Sequence, residues 1–144
     1  MLDLVSQYFE SKLNKRIIEH ATIFRHEGNS VCGDDITVYL LIDTVDNTLS
    51  TDSIDNQIIK DRSYDGNTSM ITTAASSFFS ELIVGKTLWE VLQMTYENTL
   101  LLHGFEVTPR RKRAWAIAIL ATRNAIHEFL QDGQVDTWDE VVAM

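Results

Sequence analysis

Apolar side chains recur at three- and four-residue steps from the start of the chain, at Leu2, Val5, Phe9 and Leu13. That period puts them on one face of a helix over residues 2–15, and Tyr8 widens the face. The pattern then shortens. Ile17, Ile18 and residues 21–24 lean toward strand, and His26-Glu27-Gly28-Asn29-Ser30 reads as a loop by composition. Residues 36–43 are rich in Ile, Val, Tyr and Leu and bounded by acids, which predicts the clearest strand. Residues 54–62, with Ile54, Ile58 and Ile59, predict a third. Short connections between the three favour an antiparallel meander.

After Asp65-Gly66-Asn67 the period becomes helical. Residues 68–84 carry Ile71, Ala75, Phe78 and Leu82 on one stripe, with Met70, Ala74 and Phe79 beside it. Thr68 or Ser69 is placed to cap this helix and Gly85 to end it. Thr87-Leu88-Trp89-Glu90 is a capping-box pattern. It predicts a helix running to about residue 102, stopped by Gly104. Thr108-Pro109 opens a long helix over residues 109–131, with Trp115, Ile119, Ile126 and Leu130 on its apolar side. A second capping box, Thr137 to Glu140, opens a short final one. Strands first and helices after predict an α+β fold, a three-stranded antiparallel sheet packed against several helices, in a single domain over residues 1–144.

Composition narrows the function classes. The chain has 144 residues and a formal net charge of −9, with 21 acidic against 12 basic residues. That balance argues against a nucleic-acid binder and against an anionic-membrane binder. The one cysteine leaves no internal disulfide and points to a reducing compartment. With no apolar run of membrane-spanning length and no basic leader at Met1-Leu2-Asp3-Leu4, a cytoplasmic location is expected.

That cysteine stands at a strand entry, in Ser30-Val31-Cys32-Gly33-Asp34-Asp35. Gly33 permits backbone conformations that let Cys32 and Asp34 turn toward one point. A thiolate and a carboxylate are both metal ligands, so Cys32 and Asp34 form a candidate metal site. The plainer alternative is a packed free cysteine beside an Asx turn. Asp34 and Asp35, adjacent on a strand, point to opposite faces and form no acid–base dyad. His20, His26, His103 and His127 show no ligand spacing, and the three tryptophans at helix starts read as packing residues. Nothing in the pattern supports an enzyme.

Cys32-Gly33-Asp34 before the long strand, followed by Ala74-Ala75-Ser76-Ser77 and by Glu81-Leu82-Ile83-Val84-Gly85-Lys86-Thr87, resembles the U-type iron–sulfur cluster assembly scaffolds, the family of IscU, SufU and the NifU N-terminal domain. The resemblance covers most of the chain and extends into residues 109–126. It implies a cluster or iron held by three cysteines and the turn aspartate. Cys32 and Asp34 match two of these ligands. The second cysteine position falls on Ser69 and the third on Ala114, with Arg113 before it. Serine stays protonated at neutral pH and alanine has no donor, so one chain offers a single thiolate and a single carboxylate. Two chains meeting at Cys32 would offer two of each, a homodimer that restores a ligand set. Alternatively the fold persists without metal, as an interaction module. The resemblance also implies a cysteine desulfurase or another assembly protein as partner. Arg110, Arg111, Lys112 and Arg113 hold four of the 12 basic residues at a helix start, where positive charge opposes the helix dipole. They form a candidate docking patch for an acidic partner or, equally, a solvated first turn.

Overall fold

The computed structural model describes residues 4–11, 14–29, 33–44 and 56–142. Helix α1, Leu4–Ser11, precedes three strands, β1 (Ile23–Asn29), β2 (Asp34–Thr44) and β3 (Gln57–Asp65), which form one antiparallel sheet in the order β1-β2-β3. Helices α2 (Met70–Ile83), α3 (Leu88–Leu92), α4 (Lys112–Leu130) and α5 (Trp138–Val141) follow. The predicted α+β meander with helices after it is the observed architecture.

Strand β2 alternates buried and half-buried positions over most of its length. Its inward residues Ile36, Val38 and Leu40 lie wholly buried under α4, and α2 packs on β3 and on α4. Each such side chain taken from water contributes about 1.5–3 kcal/mol. Helix α1 lies on α2, where Tyr8 meets Phe78 edge-on with ring centroids 5.4 Å apart. The open edge of β3 is covered by residues 14–16, with Lys15 bridged to Tyr64 and the Tyr64 amide donating to the Asn14 carbonyl at 3.1 Å. No helix among the described residues is long and apolar enough to cross a membrane.

Two elements differ from the sequence reading. Residues 26–29 are strand, pairing with residues 34–37. Their polar composition suggested a loop, but β2 supplies their backbone partners, and the Glu27 carboxylate accepts from Arg25 and Asn124. The helix expected from 88 to 102 ends at Leu92. Thr95 and Asn98 bond each other's backbone reciprocally, the Thr95 amide donating to Asn98 Oδ1 and the Asn98 amide to Thr95 Oγ1. Such local side-chain bonds compete with the helical ladder and win here. The Tyr96 amide is turned instead to the Val141 carbonyl at 2.8 Å. Trp89, read as a packing residue, is 50% exposed, whereas Trp115 is wholly buried.

Candidate functional site: a carboxylate closed over the ligand positions

The hairpin register pairs Asn29 with Asp34, which places Cys32 in the connection between β1 and β2. Cys32 lies outside the described residues. Gly33, just after it, has φ +76°, a conformation that suits glycine. Asp34 opens β2 and points inward, 4% exposed. Asp35 points outward, its carboxylate 3.8 Å from His26 Nε2 on β1. The two aspartates thus face opposite sides, as the strand period requires.

Three of the sequence-derived positions meet at one seam. The Asp65–Asn67 turn brings the start of α2 against the start of β2. Gly66 sits there at φ +132°, and an added Cβ would lie 2.4 Å from the Asp35 carbonyl oxygen. The Asp35 amide donates to the Asn67 carbonyl, closing the turn on β2. Ser69 is the N-cap of α2, its hydroxyl accepting from the Thr72 amide. Its own amide donates to Asp34 Oδ1 at 2.6 Å, and its hydroxyl to Asp34 Oδ2 at 3.2 Å. Thr72, one turn into α2 and wholly buried, directs its hydroxyl at Asp34 Oδ2 (2.7 Å) and at the Ala114 carbonyl (2.9 Å). Asp34, Ser69 and Ala114 are therefore gathered around Thr72, which sequence reasoning missed. Its sequence signal was the polar pair Thr72-Thr73 between Met70-Ile71 and Ala74-Ala75 at the helix start.

The electrostatics suit this closed arrangement. A carboxylate at a helix N-terminus meets the positive end of the dipole and unpaired amides. Asp34 satisfies both, bridging β2 to α2. The donor set does not fit an iron–sulfur cluster in one chain. Both Asp34 oxygens are held by α2 donors, Ser69 brings a hydroxyl and Ala114 a methyl group. Among the described residues, no group of three His, Cys, Asp or Glu side chains is placed to hold a metal ion.

Of the four basic residues at the start of α4, three have described side chains. Arg111 is exposed. Lys112 lies over the Tyr96 ring at 5.6 Å and Arg113 over the Trp138 ring at 5.4 Å. The side chain of Arg110 lies outside the described residues.

A second polar centre lies deeper. Arg62 on β3 is wholly buried, and among the described residues no carboxylate pairs with its guanidinium. Its guanidinium donates to Ser76 and Ser80 on α2, to Thr122 on α4, and to the carbonyls of Ser76 and Ala118. Burial pulls this group down to about 9. Sequence reading placed Arg62 at the end of a strand and gave it no role. The signal was Ser76 and Ser80, four residues apart on the core side of α2, which need a buried donor or acceptor.

A three-stranded antiparallel sheet under two long helices, with the β2, α2 and α4 starts converging on one aspartate, defines the fold of the iron–sulfur cluster assembly scaffolds. The sequence matches the NifU-like N terminal domain over residues 3–135, and the chain belongs to that family. An iron–sulfur cluster assembly scaffold protein IscU from Thermotoga maritima is 24% identical over 102 residues, 71% of this chain; the chain spans 63% of that relative's length. Two solved structures share the fold. A putative SUF-system scaffold from Fervidobacterium islandicum superposes with a TM-score of 0.63 at 21% identity, over 88% of this chain and 96% of its own. The N-terminal NifU-like protein of Brucella abortus gives 0.67 at 13% identity, over 92% and 95%.

Proposed function

We propose that this chain serves iron–sulfur cluster assembly by protein contact and builds no cluster on ligands of its own. The observation that carries this reading is the Asp34 carboxylate, closed onto Ser69 and Thr72 where the resemblance would have it face metal. With Ser69 and Ala114 at the other two ligand positions, Cys32 is the one thiol left, and it lies outside the described residues. The partner is a cysteine desulfurase or another assembly protein with an acidic face, met by the basic start of α4, where Arg111 is exposed. The chain acts as a binding surface and performs no catalytic step.

Anaerobic incubation with ferrous iron and sulfide, followed by desalting, tests this reading through visible absorption and bound iron. Wild type and Cys32→Ser are expected to be alike, with no charge-transfer bands and no retained iron. A Ser69→Cys, Ala114→Cys double variant, which brings the chain to three thiols, is expected to retain iron. Iron held by wild type and lost in Cys32→Ser would overturn the proposal. About one cluster per two chains would identify a site shared between subunits.

A further inference from the structure

Strand β1 is an outer strand of the sheet. Residues 14–16 cover the other edge, at β3, whereas among the described residues β1 pairs with β2 alone. Its far edge is a row of backbone donors and acceptors, a template for one more strand. The side chains decide which strand fits. Arg25 and Glu27 lie on the α4 side, where Arg25 reaches Glu128 and Glu27 accepts from Asn124. Phe24, His26 and Gly28 are exposed on the opposite face, Phe24 by 64%.

Charge on an edge strand commonly guards it, because a register that meets like charge is repelled. Here the two signs stand one on each side of His26. Laid antiparallel to a copy of itself with His26 on the two-fold axis, β1 sets Arg25 opposite Glu27 twice, once in each direction. The same register sets Phe24 opposite Gly28. Nothing lies within 4 Å of a Cβ added at Gly28, which leaves room for an aromatic ring laid over an edge glycine. Moving the axis by one residue sets Arg25 against Arg25 or Glu27 against Glu27. We propose that the edge of β1 is a self-association surface, on which a second copy of this chain pairs antiparallel about His26 and the two three-stranded sheets become one of six strands. One pair of 7-residue strands is a small interface, so the association is weak and concentration-dependent. In it Asn29 stands opposite Ile23 of the second copy, six residues of strand, about 20 Å, from the second Asn29. The two β1–β2 connections that hold Cys32 lie at opposite ends of the interface, so this dimer is not one that shares a cluster between its Cys32 thiols.

Sedimentation equilibrium of the full chain from micromolar to millimolar concentration, with reductant present, tests this. Wild type is expected to pass from one chain toward two. Arg25→Glu places a like charge opposite Glu27 at both pairs, and Glu27→Arg does the same to Arg25. Each variant alone is expected to self-associate about tenfold more weakly or worse. Mixed in equal amounts the two are complementary at both pairs, and the mixture is expected to associate as wild type does. Circular dichroism checks that each keeps its fold. If one does not, His26→Cys in a Cys32→Ser chain takes their place. Its thiols meet on the axis, so mild oxidation is expected to link two chains, while Phe24→Cys in the same background, with thiols four residues of strand apart, should link few. Wild type that stays a single chain throughout, single variants that associate undiminished, folded variants whose mixture does not associate, or equal linking at positions 24 and 26 would each overturn the proposal. Iron retention is measured separately, so this surface and the reading above fail independently.

Discussion

Asp34 accepts from the Ser69 amide and from two hydroxyls while 4% exposed, so its removal leaves the part-buried Ser69 N–H and the buried Thr72 hydroxyl without this acceptor. Asp34→Ala is expected to destabilise the fold by about 1–3 kcal/mol. Asp34→Asn should cost less, because its amide oxygen keeps one acceptor. Urea denaturation of the two variants checks this; a neutral Asp34→Ala would mean that Asp34 does not anchor α2. Arg62 presents the opposite case, a buried cation with ample hydrogen bonds and, among the described residues, no carboxylate paired with it. The folded state carries the cost of that charge at every pH below about 9. It is relieved only as pH rises through that value toward the ordinary guanidinium range, the sign expected of a depressed base. Thr122 already donates to the Ala118 carbonyl at 2.7 Å, and helical Ser76 and Ser80 have carbonyls one turn back. Arg62→Met is therefore expected to be neutral or stabilising by up to about 4 kcal/mol. Arg62→Ala, which leaves a cavity, should lose about 2–5 kcal/mol. Equal losses in the two would show that the guanidinium bonds themselves hold β3 to the helices. Asp34 and Ser69 were legible from the motif and the helix-cap position. Thr72 and Arg62 were not, because alternation says which face a residue occupies and not whether polar partners wait there.

The turn that joins β3 to α2 fixes where the seam forms. Gly66, at φ +132°, packs against the Asp35 backbone, and the peptide groups of Asp35 and Asn67 are bonded at 3.1 Å. A side chain there meets main chain, which cannot yield as a flexible side chain would. Gly66→Ala is expected to cost about 1–3 kcal/mol in backbone strain, with the steric contact added. Thermal unfolding measures that loss. Gly28→Ala is a useful contrast, since nothing lies within 4 Å of its added Cβ, and it should be nearly silent. A silent Gly66→Ala would mean that the turn relaxes without disturbing β2. At this scale the helix starts were the most readable features. Both capping boxes, Thr87 with Glu90 and Thr137 with Glu140, are present. The end of α3 was not readable, because Thr95 and Asn98 stop it through bonds that a hydrophobic period does not encode.

Across the whole molecule, the C-terminal segment is held by charge at α4 as well as by the buried Val141 and Val142. His127, 6% exposed, lies between two carboxylates, with Nδ1 2.7 Å from Asp132 Oδ2 and Nε2 3.1 Å from Asp136 Oδ2. Arg123 bonds the same Asp136 oxygen at 2.7 Å, and Asn124 exchanges hydrogen bonds with the Asp136 backbone. Burial raises the Asp132 carboxyl, but the bonds from His127 and the Gln134 amide outweigh it and hold the group below its ordinary 3.8. A depressed carboxylate adds stability that is present above its unfolded value and lost as pH falls through its lower folded value. Asp132→Asn is therefore expected to be less stable than wild type at neutral pH, by about 1 kcal/mol or less. In acid below the folded value the two should converge. Glu90 and Glu140 are depressed by the bonds of their capping boxes and lose their contribution over the same acid range. Denaturation of wild type and Asp132→Asn across that range decides the matter. A gap between them that persists in acid would mean that the Asp132 contribution is steric, and that the segment is pinned by packing around Val141 and Val142 instead.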